Sequence, residues 1–174
     1  MDPLYAAVRA VARFWIWFFF KSVEIRHRER VPPHGPVLLA ANHPNNLIDS
    51  LLVGAVLSRK VHYLATASLF RNPTLGRFLS MMGVIPIYRR EDDPDKMEKN
   101  VTAFEACTRA FNEGKLIAIY PEGTTHAEPR VQRIKTGAAR IALEAESQRG
   151  GKRGLALIPG GLTFEARKAV RNRG

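Results

Sequence analysis

Two hydrophobic patterns alternate along this chain. Short, nearly continuous apolar runs bounded by turn residues predict buried strands, and stretches with apolar residues every three or four positions predict helices. The runs are PVLLAAN (36–42), VHYLAT (61–66), GVIPIYRR (83–90), KLIAIY (115–120) and LALIPGGLTF (155–164). Between them, LIDSLLVGAVLSR (47–59), VTAFEACTRAFNEG (101–114) and KTGAARIALEAESQ (135–148) carry the helical spacing, and SLFRNPTLGRFLSMMG (68–83) predicts one or two short helices broken at Pro73. Asn46 stands as an N-cap before the first of these, with Asp49 in its first turn, and Gly114 closes the helix over 101–114. VPPHG (31–35) predicts a turn and EDDPDK (91–96) a loop. Strands alternating with helices predict an α/β domain whose central, mostly covered β-sheet is flanked by helices. No internal repeat or interdomain linker interrupts it.

The N-terminus breaks this rhythm. In MDPLYAAVRAVARFWIWFFFK the uncharged stretch from Phe14 to Phe20 is only seven residues, and Arg9 and Arg13 interrupt what precedes it. A spanning helix needs about 20 apolar residues, and no small-residue cleavage site follows the run, so neither a membrane span nor a secretory signal is expected. Arg9 and Arg13 share one helical face, and Trp15 and Trp17 are interfacial residues. The pattern predicts an amphipathic helix in the headgroup region followed by a basic flank of Lys21, Arg26, Arg28 and Arg30, together residues 1–30, and then the α/β domain over 31–174. The alternative is a helix packed on the domain's own core.

Composition narrows the choice of partners. A length of 174 residues suits one domain with a real core. The 27 Lys and Arg against 16 Asp and Glu give a formal +11, which gathers anionic partners: nucleic acid, anionic lipid or phosphorylated small molecules. The basic residues are dispersed and no nucleic-acid motif accompanies them, so no specific nucleic-acid partner is expected. One cysteine, Cys107, excludes an internal disulfide and points to a reducing compartment. The five histidines form no metal-ligand pattern, so neither a metal nor a resident cofactor is expected.

Candidate chemistry gathers at predicted strand ends. His43, Arg89, Glu122 and Pro159-Gly160-Gly161 all fall at or near C-terminal ends of strands, the edge where open α/β sheets bind ligands. His43 precedes Pro44, which keeps it extended at the strand end. Asp49, with five residues in between, could fold back to accept the ring N–H, fixing the tautomer while the other nitrogen takes a proton. The competing reading makes Asp49 with Asn46 a capping box and His43 a loop residue. No Gly-x-Ser-x-Gly elbow is present and Cys107 lies on an apolar helix face, so such a base would activate a substrate hydroxyl or water. IAIYPEGTTH (117–126) places Glu122 on an exposed turn whose Gly123 admits a ligand to the backbone, with Thr124 and His126 as further hydrogen-bonding groups. Arg89 and Arg90 could fork onto a phosphate, and Arg130, Arg133 and Lys135 stand ahead of the helix start at Thr136-Gly137.

In order, NHPNNLID, GVIPIYRR, YPEGTTH and ALIPGGLTF resemble the four motifs of the glycerolipid acyltransferase superfamily, the glycerol-3-phosphate and lysophosphatidate acyltransferases, from about Pro36 to Phe164. The resemblance implies that His43 deprotonates an acceptor hydroxyl with Asp49 as its partner, and that the hydroxyl attacks the thioester of acyl-CoA, or of an acyl carrier protein, without an acyl-enzyme. Arg89, Glu122, Gly123 and Thr124 would bind a glycerophosphate, and the Ile158-Pro159 segment would complete the pocket near the acyl chain. It also implies association with anionic lipid at the cytoplasmic face of a membrane. Two departures stand out: five residues separate His43 from Asp49 where most of the superfamily has four, and Thr125 replaces a customary arginine. Both look more like the glycerol-3-phosphate and dihydroxyacetone-phosphate subgroup, and they leave the phosphate to Arg89, Arg130 or Lys135. The chain ends ten residues after the fourth motif where relatives run longer, as a truncated or minimal version would. A thioesterase or lipid hydrolase, and a non-catalytic acyl-CoA- or lipid-binding module, are the alternatives.

Overall fold

The sheet is built from five parallel strands: β1 (Val37–Ala41), β2 (Val61–Thr66), β3 (Ile85–Ile87), β4 (Leu116–Ile119) and β5 (Ala156–Gly160), in the spatial order β3-β2-β4-β1-β5. A computed structural model describes residues 2–89, 94–123, 132–149 and 154–164. Among the described residues five α-helices accompany the strands: α1 (Pro3–Phe19), α2 (Leu47–Val56), α3 (Pro73–Met82), α4 (Asn100–Asn112) and α5 (Gly137–Arg149). The α/β class and the covered central sheet are as the pattern predicted.

Side-chain alternation along the central strands explains the layers. Leu38, Ile117 and Ile119 face α4 and α5, where they meet Cys107, Phe111, Ile141 and Ala145. Val37, Leu39, Leu116 and Ala118 face the other way, against Val53 and Leu57 at the α2 side. Phe111 is fully buried, and sequestering its ring contributes about 2–3 kcal/mol. Cys107 sits in the same layer, where burial pushes its thiol up to about 12; it is inert packing. Both edge strands carry a proline, Pro86 in β3 and Pro159 in β5. A residue without an N–H is tolerated there because no second neighbour needs the bond.

Several boundaries differ from the sequence reading, each for a local reason. β3 is three residues long because Gly83, at φ +83°, caps α3 and β2 ends opposite Ile87. Beyond that point the Asn100 amide takes over the ladder, accepting from Tyr88 N–H and donating to its carbonyl oxygen, both at 2.8 Å. The predicted loop at 91–96 gives way, from Pro94 to Lys99, to a 3-10 helix. The helix predicted over 47–59 stops at Val56. Asn46 occupies its N-cap position with a positive φ of 49° but makes no side-chain cap bond.

α1 is tied to the domain over its first half, and at its C-cap the Phe20 ring meets Phe164 with centroids 6.0 Å apart. Asp2 caps it by accepting Tyr5 N–H at 2.7 Å, and Tyr5 is buried, its hydroxyl oxygen accepting Val61 N–H at 3.1 Å. Arg9 donates to the Ala55 carbonyl at the end of α2, so it serves the fold rather than the shared cationic face expected of Arg9 and Arg13. The second half of the helix projects Phe14, Trp15, Trp17, Phe18 and Phe19 into solvent, Trp17 at 74% exposure.

His62, at the opposite end of the sheet from the predicted site, makes stability depend on pH. Its Nδ1–H donates to Leu116 O at 3.2 Å, and its ring packs so closely on Gly83 that a Cβ there would meet Cδ2 at 2.5 Å. Burial, helped by Lys115 and Lys60, lowers its pKa to about 4 from the ordinary 6.5. The native protein therefore binds no proton where the unfolded chain does, and stability falls as pH drops from the free value toward about 4. Between about pH 7.5 and about pH 5 this group removes about 1–2 kcal/mol, allowing for solvent screening. Urea unfolding at both pH values should show His62→Gln losing correspondingly less stability than wild type; equal losses would refute the assignment.

Candidate active site

The loop after β1 is organised around one carboxylate. Asp49, in the first turn of α2, is fully buried, and its Oδ2 accepts Asn45 N–H at 2.8 Å while lying 2.9 Å from His43 Nδ1. The capping and pairing roles left open by the sequence are thus performed by the same oxygen, with Asn45 rather than Asn46 as the capped residue. Five intervening residues bring the pair into contact because the positive φ of Asn46 turns the chain tightly into the helix. A carboxylate oxygen only accepts, so Nδ1 carries the proton and Nε2 is the basic nitrogen of the ring. Burial raises the Asp49 pKa, against the lowering effect of Asn45 N–H and His43.

Three other elements hold His43. Its backbone N–H donates to Glu122 Oε1 at 3.1 Å. Its ring lies flat on Tyr120, with centroids 3.8 Å apart and planes 8° apart. Asn42, the preceding residue, exchanges two hydrogen bonds with the Leu162 backbone, fastening the end of β1 to the segment after β5.

Glu122 is not the exposed turn residue expected from its Pro-Glu-Gly setting. It is 3% exposed, and its second oxygen accepts Gln132 N–H at 2.8 Å, bridging the β1 loop to the segment ahead of α5. The turn that carries it does reach the ligand side. Gly123, at φ +73°, lies so close to Lys135 that a Cβ would come within 2.9 Å of Nζ, and its carbonyl oxygen accepts from Arg89 Nη1 at 2.8 Å.

A cavity of about 860 Å³ joins these parts. Its polar side is bordered by His43, Arg89, Gly123, Lys135 and Arg140, and its mainly apolar side runs between α1, α2 and α3 past Leu51, Phe78 and Leu79 to Tyr5 and Gly54, where Arg9 also borders it while donating to the Ala55 carbonyl. The site can therefore offer a general base, fixed cations for an anionic group, and an apolar space for a long aliphatic group. Pro159 is exposed on β5 and does not border the cavity, because an edge strand turns its outer face away. Thr124 and Arg130 lie outside the described residues, as do Arg90, Thr125 and His126. No group of three His, Cys, Asp or Glu among the described residues could hold a metal ion.

The sequence reading assigned no role to Asn42, Ser50, Asn100, Tyr120 or Arg140. For Asn42 and Tyr120 a signal was present, since each is a polar-headed residue ending an apolar strand beside a candidate site residue. For Ser50, Asn100 and Arg140 there was none, because each acts on a segment distant in sequence.

Comparison with known proteins follows the same outline. The family model described as Acyltransferase matches residues 22–162. A 1-acyl-sn-glycerol-3-phosphate acyltransferase of Bacillus subtilis (strain 168) is 26% identical over 122 residues, 70% of this chain and 56% of that protein. A chloroplastic 1-acyl-sn-glycerol-3-phosphate acyltransferase of Arabidopsis thaliana is 27% identical over 154 residues, 86% of this chain and 39% of that protein. The chain thus spans about half the length of these relatives. The crystal structure of the 1-acyl-sn-glycerophosphate acyltransferase PlsC from Thermotoga maritima superposes with a TM-score of 0.65 at 17% identity, over 89% of this chain and 55% of that one, a likeness of fold.

Proposed function

This chain belongs to the acyltransferase family, and from that premise we propose that it transfers a fatty acyl group from a thioester to a hydroxyl of a glycerophosphate. One observation carries the reading: the His43–Asp49 pair borders a cavity that is cationic at one side and apolar at the other. His43 Nε2 removes the proton of the acceptor hydroxyl while Asp49 stabilises the imidazolium through Nδ1–H. The hydroxyl oxygen attacks the thioester carbonyl carbon, an ester bond forms, the carbon–sulfur bond breaks, and the departing thiolate takes the proton back from His43. Arg89 and Lys135 receive the phosphate, and the apolar arm between α1, α2 and α3 receives the acyl chain. Acyl-CoA is the donor we favour, its phosphates suiting a chain of net charge +11.

The acceptor can be either of two glycerophosphates. The five-residue His–Asp spacing and Thr125 favour glycerol 3-phosphate, whereas the names of the Bacillus and Arabidopsis relatives favour lysophosphatidate. The test gives purified protein acyl-CoA, or acyl carrier protein thioester, with each acceptor and with monoacylglycerol, and identifies products by mass spectrometry. Thiol release that requires a phosphorylated acceptor and yields its ester supports the proposal. Release without acceptor would assign a thioesterase instead, and binding without release a non-catalytic module.

We propose further that the chain attaches peripherally to membranes through the exposed aromatic side chains of the second half of α1. No described helix is long and apolar enough to cross a bilayer, yet Trp15, Trp17, Phe18 and Phe19 stand exposed together on a strongly basic protein. Flotation with vesicles containing anionic lipid should recover wild type and recover the Trp15→Ser/Trp17→Ser variant about tenfold less. Equal recovery of the two would remove α1 as the attachment element.

A further inference from the structure

We infer that Tyr120, anchored by Ser50, is a positioning residue that holds the His43 imidazole in the pose from which it acts as a base; this rests on the catalytic reading of His43 above. A hydrogen bond at one ring atom holds the edge of an imidazole, whereas packing over the whole ring face resists tilting and so the swing of Nε2. Asp49 Oδ2 provides the edge contact at Nδ1, and the Tyr120 ring provides the face contact at 3.8 Å and 8°.

The stacking ring is itself held. The Tyr120 and Ser50 hydroxyls lie 3.0 Å apart, and Ser50 directly follows Asp49 in the first turn of α2. From the neighbouring strand β2, the Tyr63 hydroxyl donates to Ser50 O at 2.7 Å. The first turn of α2 is thereby tied to the sheet at two atoms of one residue, so the edge reference (Asp49) and the face reference (Tyr120) cannot drift apart. Burial keeps the Tyr120 hydroxyl well above its ordinary pKa, so a neutral ring lies under the imidazole throughout the working pH range. Glu122 accepts from the His43 backbone N–H, and Asp49 meets the ring at Nδ1.

Two readouts test this, one of which needs no substrate. In the NMR spectrum of the full chain, the Hε1 signal of His43, assigned by its absence from His43→Ala, should be displaced upfield by the Tyr120 ring current. The displacement should persist in Tyr120→Phe and vanish in Tyr120→Leu. In steady-state assays Tyr120→Leu should lower kcat by about 10²-fold with both KM values within about twofold, because misplacement of a reacting group by about 1 Å costs that much. Tyr120→Phe and Ser50→Ala should each lower kcat about threefold, and the double variant no further, since both remove the same bond. An undisplaced His43 signal in wild type, unchanged kcat in Tyr120→Leu, or a loss expressed in KM would overturn the inference. Should Tyr120→Leu not fold, additive losses or no losses in the Phe and Ala variants overturn it instead. Wild type without acceptor-dependent turnover would sink the transferase reading, while the NMR displacement would still decide the placement of the ring.

Discussion

Replacing His43 by alanine should lower kcat for acyl transfer by about 10²–10⁴-fold while leaving the protein folded. The structural part of this expectation follows from what the residue does for the fold. His43 contributes its backbone N–H to Glu122, which alanine retains, and Pro44 still imposes extended geometry on the strand end. The ring itself borders the cavity, with 15% of its side chain exposed, so its removal enlarges an existing space rather than opening a closed void. The chemical part follows from the tautomer. With Nδ1–H facing the carboxylate, Nε2 is the basic nitrogen of a ring that borders the cavity, and no Gly-x-Ser-x-Gly elbow offers a route through an acyl-enzyme. KM for the acceptor should change little, because Arg89 and Lys135 remain. Thermal unfolding checks the fold and single-turnover acyl transfer checks the chemistry; turnover near wild type in a folded variant would remove His43 from the mechanism.

How far the chain could be read in advance depends on whether a feature is local. Strand β2 was legible to the residue, because VHYLAT is rich in β-branched, aromatic and apolar residues and starts directly after Arg59-Lys60. β3 was not, since its length is set by where β2 ends and by Asn100 reaching back twelve positions to Tyr88, neither of which periodicity reports. At the site, His43 and Asp49 were legible because Pro44 and the helix start fix the course of a seven-residue segment. Glu122 was misread because its surroundings are not local. Proline and glycine on either side mark a turn, and turns are usually exposed, but this one is covered by the β1 loop and by Gln132, whose N–H groups draw the carboxylate inward. A buried carboxylate needs such partners, and they come from 79 and 10 positions away. The same distance hid Ser50 and Tyr120, whose hydroxyls meet across 70 residues.

Substituting Asp49 by asparagine should separate catalysis from stability more sharply than any other single change. Activity should fall by about 10³-fold, within the range seen when a histidine loses the carboxylate that orients it. An amide cannot stabilise the imidazolium by charge. If its oxygen takes the Oδ2 position to serve Asn45 N–H, the amide nitrogen is placed where Oδ1 now lies without a hydrogen-bond partner among the described residues. If it turns the other way, the amide nitrogen donates to Nδ1 and forces the proton onto Nε2, abolishing the base. Folding stability should nevertheless stay within about 1 kcal/mol of wild type, because the cap and the volume are retained and the buried charge is gone. The sign of the pH dependence follows from the raised pKa of Asp49, for which burial is the main cause. The native state disfavours the ionised form, so wild type loses stability as pH rises through that pKa and Asp49→Asn does not. Urea unfolding should therefore show the asparagine variant gaining on wild type as pH rises above the ordinary aspartate value of 3.8. Asp49→Ala should lose on both counts, since Asn45 N–H is left without an acceptor at a cost of about 1–3 kcal/mol. Near-normal turnover in Asp49→Asn would reduce Asp49 to the cap of α2, and His43 would then need another source for its proton affinity.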